Sequence, residues 1–201
     1  ADKNFNQSAY EGLEALKAEG FQTAYTTAVD DSSYAPNIQQ LIDQNCNTVI
    51  AVGYNQGTAL QAAALDTANA DIAFGWVDAT WALEDGTIPA NFTGIDFQID
   101  EASMLAAYLA AGISKTHVIA TYGGAPYPGV TKFMDGWVAG AKYYADKKGV
   151  ATDVLGWDPV AATGTFNPST APFNDVDFGK TTAEAFMGQN ADVVHAVAGT
   201  T

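Results

Sequence analysis

Gln44-Asn45-Cys46-Asn47-Thr48-Val49-Ile50-Ala51-Val52-Gly53 reads as a helix end, a short apolar strand and a glycine stop. Gln189-Asn190-Ala191-Asp192-Val193-Val194-His195-Ala196-Val197-Ala198-Gly199 repeats that order near the other end of the chain. Helix feeding strand is the repeating unit of a parallel sheet, and two similar units so far apart predict two α/β lobes. The crossover falls near Asp96 to Asp100, so residues 1–98 are expected to form an N-terminal lobe and residues 99–201 a C-terminal one. His195 occupies the place of Ile50 in the match and reads as a strand residue.

Outward from these two anchors, short β-branched or apolar runs alternate with runs of helical period. Strands are expected at Thr23 to Val29, Thr48 to Val52, Ile72 to Val77, Phe92 to Phe97, His117 to Tyr122, Val150 to Leu155 and Asp192 to Val197. Helices are expected near Ser8 to Glu19, Pro36 to Asn45, Gly57 to Asn69, Glu101 to Ile113, Gly129 to Asp146 and Asp177 to Gln189. The clearest is the fifth, where Val130, Phe133, Met134, Trp137, Ala141 and Tyr144 make an apolar stripe. The stretch Gly156 to Val176, rich in Gly, Pro, Thr and Asn, reads as an elaborated loop carrying Trp157, Phe166 and Phe173.

Composition narrows the function. A net charge of −15 leaves no basic surface to replace phosphate counterions, which argues against nucleic acid. All eight cationic residues are lysine, and arginine is the side chain suited to bidentate recognition of carboxylate or phosphate, so a neutral ligand is favoured. One cysteine, Cys46, excludes an intrachain disulfide, and it reads as a buried residue ahead of its strand. With only His117 and His195 beside it, no zinc-ligand spacing exists. No apolar run approaches the roughly 18 residues of a membrane span. No nucleophile-base pattern, G-x-S-x-G turn or metal cluster points to catalysis.

In open α/β sheets ligands bind beyond the carboxyl ends of the strands. That rule selects Gly53-Tyr54-Asn55, Asp78, Gly123-Gly124 and Gly199-Thr200-Thr201. Glycine there admits a ligand close to the backbone, or serves an ordinary tight turn. Asp78 ends an apolar strand, where a carboxylate accepts paired N–H groups from a neutral ligand or caps the next segment. At the other end of the first lobe, Asp2-Lys3-Asn4-Phe5-Asn6-Gln7-Ser8 crowds a carboxylate, a ring and three amides ahead of a helix. Ser8-Ala9-Tyr10-Glu11 fits a capping box, which puts Phe5 in a loop or first turn just before a helix N-terminus. Phe5 there either faces a ligand or tucks into the core.

With these positions together, the sequence resembles the basic membrane protein family of purine-nucleoside-binding lipoproteins, the substrate receptors of nucleoside ABC importers. The resemblance is carried by Asp2 to Gln7 with Glu11-Gly12, Tyr34-Ala35-Pro36-Asn37, Ala51-Val52-Gly53, Asp78, Leu105 to Ser114, Gly123-Gly124, Gly136 with Ala139-Gly140, Gly164-Thr165-Phe166 and Ala198-Gly199-Thr200. It implies the type I periplasmic-binding-protein fold, two Rossmann-like lobes closing on a nucleoside. Phe5 resembles the family ring stacked on the purine, with Phe166 on the opposite face, and Asp78 the carboxylate that pairs with the base edge. Asn6 and Asp2 would hydrogen-bond the ligand, while Gly53, Gly199 and Thr200 would bring backbone close to it.

The family implies a binding protein without catalytic residues, metal or cofactor, whose partners are a purine nucleoside and a membrane permease. It also implies an extracytoplasmic lipoprotein held at the membrane by a lipid anchor outside this sequence. Family members carry a strand ahead of the Asp-Lys motif and more of the second lobe after Ala-Gly-Thr, so both lobes are expected to be incomplete here. A sugar-binding or sensory receptor of the same fold is the alternative, and a nucleoside-processing enzyme using Asp2 and Asp78 as an acid-base pair is a third class.

Overall fold

A computed structural model describes residues 5–201. They fall into two compact units, the first ending at Phe97 and the second running Gln98–Thr201. The first unit contains α1 (Phe5–Ala18), α2 (Tyr34–Asp43), β1 (Thr48–Val52), α3 (Gly57–Leu65), β2 (Ala73–Val77) and β3 (Phe92–Ile95). Its sheet is parallel, in the order β1-β2-β3, with Val52 opposite Val77 and Val77 opposite Ile95. The strand period of two turns Val49 and Ala51 into a core with Ile38, Leu60, Phe74, Trp76 and Phe92, while Ile50 is exposed. Leu60 and Phe74 are fully buried, each worth about 1.5–3 kcal/mol.

The second unit contains α4 (Ile99–Ile113), β4 (Val118–Gly123), α5 (Pro128–Lys148), β5 (Asp153–Leu155), β6 (Trp157–Asp158), β7 (Thr163–Gly164), α6 (Val176–Met187) and β8 (Val193–Val197). A parallel sheet runs in the order β5-β4-β8. Pro128 sits at the first turn of α5, Lys147 and Lys148 in its last, and Gly149 closes it at φ 69°. Its stripe buries Val130, Met134, Trp137 and Ala141 as expected, with Phe133 and Tyr144 half-buried. On the flank of that stripe Gly136 and Gly140 bring the α4 backbone close: a Cβ on Gly140 would meet Met104 O and lie 2.7 Å from the Ala107 methyl.

The internal repeat has a physical cause. Asn45 and Asn190, matched residues, both adopt left-handed backbone, at φ 62° and φ 70°. Cys46 N donates to Leu41 O at 3.1 Å and Ala191 N to Phe186 O at 3.0 Å. Asn45 N donates to Ile42 O and Asn190 N to Met187 O. Both helices thus end in a Schellman-type cap that turns the chain directly into a strand, asparagine taking the place usual for glycine.

Four expectations need correction. Thr23 to Val29 forms no strand: no described segment offers it a ladder, and Phe21, Tyr25 and Val29 are 60%, 61% and 92% exposed. Ser8 does not cap α1 but lies within it, and Phe5, expected in a loop or first turn, takes a place in the first described turn of α1. Gly156 to Val176 is not loop throughout, since β6 and β7 pair antiparallel and Phe166 continues the sheet by bridging to Gly123. Cys46 is half-buried against the first core rather than fully enclosed.

Candidate ligand-binding site

In the first unit two of the candidate residues, Gly53 and Asp78, stand where β1 and β2 end. Val52 and Val77 are register partners, so the next residues, Gly53 and Asp78, leave the sheet side by side. Gly53 has φ 110°, and nothing lies within 4 Å of where its Cβ would stand. Its need for glycine is therefore set by backbone conformation, not by crowding. Asp78 has φ 68°, a left-handed conformation uncommon outside glycine and asparagine or aspartate, and its N–H donates to Ile95 O at 2.8 Å. Such conformations persist where surrounding structure enforces them, and they cluster at ligand sites.

An aromatic brace, not anticipated from the sequence, holds this corner. Trp76, 4% exposed, donates its indole N–H to Gly53 O at 3.0 Å. Tyr54 stacks on Trp76 with centroids 5.7 Å apart and planes at 29°. Gly57 leaves room for the indole, which its Cβ would strike, and Gln56 Nε2 donates to Val52 O at 2.8 Å. The one available signal was an aromatic residue immediately after the strand-end glycine.

Phe5 lies on α1 and is 41% exposed, not tucked into the core, and Asn6 beside it is also exposed. Asp2 lies outside the described residues.

In the second unit, Gly123 and Gly124 follow β4, but their backbone is already engaged. Gly123 N donates to Thr165 O, Gly124 N to Val197 O, and Asn167 N to both glycine carbonyls. Phe166 is half-buried, its ring edge-on to Trp157 at 5.8 Å and so near Gly123 that a Cβ there would lie 2.7 Å away. Trp157 is fixed in turn by its N–H to Asp135 Oδ1 at 2.8 Å. Gly199, φ 62°, packs against Phe173 O, and Thr200 donates from both N and Oγ1 to that same carbonyl. Thr200 Oγ1 also reaches Asn174 Oδ1 at 3.1 Å. Gly199 and Thr200 thus anchor the loop before α6 in this structure.

A shallow concavity of about 390 Å³ opens between Ser169 and Asp177. None of the candidate residues line it, and Asp175 within it accepts the Phe178 N–H that caps α6, the main cause of its lowered pKa. It is a cap turn, apart from the strand-end corners where the candidate residues stand. Among the described residues no group of three or more His, Cys, Asp or Glu side chains converges to hold a metal.

A family model described as ABC transporter substrate-binding protein PnrA-like, the Bmp family, matches residues 1–201. The chain belongs to the Bmp family. Basic membrane protein A of Borreliella afzelii is 28% identical over 198 residues, covering 98% of this chain and 55% of that protein. This Bmp-family chain spans about half the length of the curated relatives it matches. An ABC transporter system solute-binding protein from Aeropyrum pernix K1 superposes with a TM-score of 0.79 at 20% identity, covering 100% of this chain and 52% of that one. A transcriptional activator of the comK gene from Bacillus halodurans gives 0.70 at 18% identity, over 99% of this chain and 62% of that one. At these identities the likeness shows the fold, that of the periplasmic binding proteins. The Bmp family is one of substrate-binding proteins, not enzymes.

Proposed function

We propose that the protein binds a purine nucleoside outside the cytoplasm, as a lipid-anchored receptor, and delivers it to the permease of an ABC importer. The observation that carries this reading is the pair Gly53 and Asp78 at neighbouring strand ends, one opening the backbone and the other bringing a carboxylate beside it. A carboxylate there accepts N–H groups from a base edge and penalises bases that lack them. The absence of arginine and the net charge of −15 favour an uncharged base and sugar over a nucleotide.

On this reading Phe5, Asn6, Gly53 and Asp78 are the first unit's ligand contacts, and Phe166, Gly199 and Thr200 the second unit's. Asp2 is proposed with them. Stacking on Phe5 and Phe166 would supply roughly 1–3 kcal/mol per ring. Donation from Thr200 Oγ1 to a ligand would require it to give up Asn174 Oδ1 and Phe173 O as acceptors, whereas accepting from a ligand N–H or O–H would not.

The test is thermal unfolding of the full-length protein with guanosine, inosine, adenosine, free ribose and a nucleoside monophosphate. Ligand at about 100 times its dissociation constant stabilises by roughly 2.7 kcal/mol, so nucleosides should raise the melting temperature by several degrees. A shift with ribose but with no nucleoside would favour a sugar receptor. Nucleoside recovered intact after long incubation separates binding from turnover.

A further inference from the structure

Leu105, Leu109 and Ile113 stand four residues apart along α4 and are 73%, 64% and 61% exposed. Residues at that spacing share one face of a helix, so the three form a single apolar stripe. Ala102 and Ala106 border it and are also exposed, which leaves its flank low enough for another helix to approach. Ala107 and Ala110 face the other way, in the core with Ile119 and Trp137. The helix is therefore apolar on two sides, and only one of them enters the core of its own unit. An exposed apolar face of this kind marks an interaction surface.

The charges beside the stripe are polarised along it. A Cβ on Gly136 would meet Asp100 O, and one on Gly112 would lie 3.2 Å from the Tyr144 ring, so α4 and α5 run side by side in the same direction. At their first level stand Asp100 and Glu101 in the first turn of α4, with Asp135 exposed on α5 and Lys132 paired to Asp100. At the far end Lys115 follows α4, and Lys142, Lys147 and Lys148 are exposed on the last two turns of α5, with Asp146 among them. Half of the eight lysines thus gather at one end of one face, in a chain of net charge −15.

We propose that this face docks a second copy of the same chain, the two α4 helices packing antiparallel about a twofold axis between Leu105 and Leu109. The contact is isologous, the same patch being offered by both copies. The rotation sets Leu105 of each copy on Leu109 of the other and brings each acidic end against the other copy's lysines. Parallel packing would set lysine against lysine. An anionic membrane would attract the lysine end but meet Glu101 and Asp135 at the other, so the polarity favours a second copy. One helix face with its flank is small beside permanent interfaces, and the association should be weak. It does not depend on which ligand the protein takes.

The experiment is sedimentation equilibrium of the full-length protein over about 1–500 μM, with melting temperatures measured at the dilute end. Wild type is compared with Leu109→Glu, Glu101→Lys, Lys115→Glu and the double variant Glu101→Lys/Lys115→Glu. Wild type should pass from one chain mass toward two, and Leu109→Glu should stay at one with a dilute melting temperature close to wild type. Each single charge reversal should weaken association by roughly 3- to 30-fold, two exposed pairs being lost per dimer, and the double reversal should restore it.

Wild-type protein that stays monomeric throughout would overturn the proposal. If Leu109→Glu then also lowered the melting temperature, the stripe would lie under another part of the same protein; if the monomer instead sedimented with anionic vesicles, it would face a membrane. A dimer indifferent to Leu109→Glu would place the contact elsewhere and overturn the proposal as well. A double reversal no better than either single one would overturn the antiparallel arrangement.

Discussion

Trp137 and His195 stack almost parallel, with ring centroids 4.4 Å apart and planes 18° apart. The edge of Phe133 closes a second side at 6.3 Å, and Thr121 is the register partner of His195 on β4. His195 Nδ1, Trp137 Nε1 and Thr121 Oγ1 are buried with no partner among the described residues. The imidazole is therefore held among aromatic rings and a hydroxyl, and burial pushes its pKa below the usual 6.5.

That shift fixes a pH dependence. A histidine whose folded pKa is depressed binds its proton more readily in the unfolded chain, so stability rises with pH across the interval. The contribution is fully present above about 6.5 and is lost as pH falls through the lower folded value. Melting temperature should fall from pH 7.5 to pH 5 more steeply in wild type than in His195→Phe. Parallel curves would remove His195 as the cause.

Gly140→Ala and Gly12→Ala should have opposite effects, although both replace a helical glycine. Alanine gains about 1 kcal/mol of helix propensity at either place. Gly12 has nothing within 4 Å of its would-be Cβ, so the gain stands. At Gly140 the added methyl meets Met104 O, a backbone atom that cannot rotate away, and overpacking of this kind costs about 1–3 kcal/mol. Denaturant unfolding should show Gly12→Ala neutral to stabilised and Gly140→Ala destabilised. Stabilisation in both would mean that α4 and α5 separate easily.

Much of the fold was legible in the sequence, and what was missed has definite causes. β1 was legible to the residue, Thr48–Val52, because β-branched alternation and a glycine stop coincide with a helix cap on its other side. The apolar period of α5 was legible because one face of a long helix must be buried. Thr23 to Val29 carries the same local preference as a strand, yet pairing is a tertiary matter that local preference cannot supply. Ser8 carried a capping signature that also suits the interior of an amphipathic helix. For the site, Asp78 and Gly53 could be chosen by the strand-end rule, and both have left-handed backbone. Tyr54 could not be weighed, because only the fold brings it onto Trp76.

Asp78→Gly should separate stability from binding. Glycine relieves about 1 kcal/mol of left-handed strain but restores a similar backbone entropy to the unfolded chain, so stability should stay within about 1 kcal/mol of wild type. Removing hydrogen bonds to a charged group costs roughly 1.5–3 kcal/mol, about 10- to 150-fold in nucleoside affinity. Unfolding curves and titrations on the same samples check both halves. Unchanged affinity would assign Asp78 to the turn alone.

Phe5→Ala should leave the fold nearly unchanged, since Phe5 is 41% exposed and α1 has no buried residue. Loss of one stacked ring should nonetheless weaken purine nucleoside binding roughly 5- to 100-fold. Equal affinity in the variant would remove Phe5 from the site.

The most direct measurement is isothermal titration of the full-length protein with inosine and guanosine, with ribose and inosine monophosphate run in parallel. A purine-nucleoside receptor should show saturable binding of one nucleoside per chain, and far weaker binding of both the sugar and the phosphorylated ligand. Binding of ribose or the monophosphate with no heat from either nucleoside would contradict that reading.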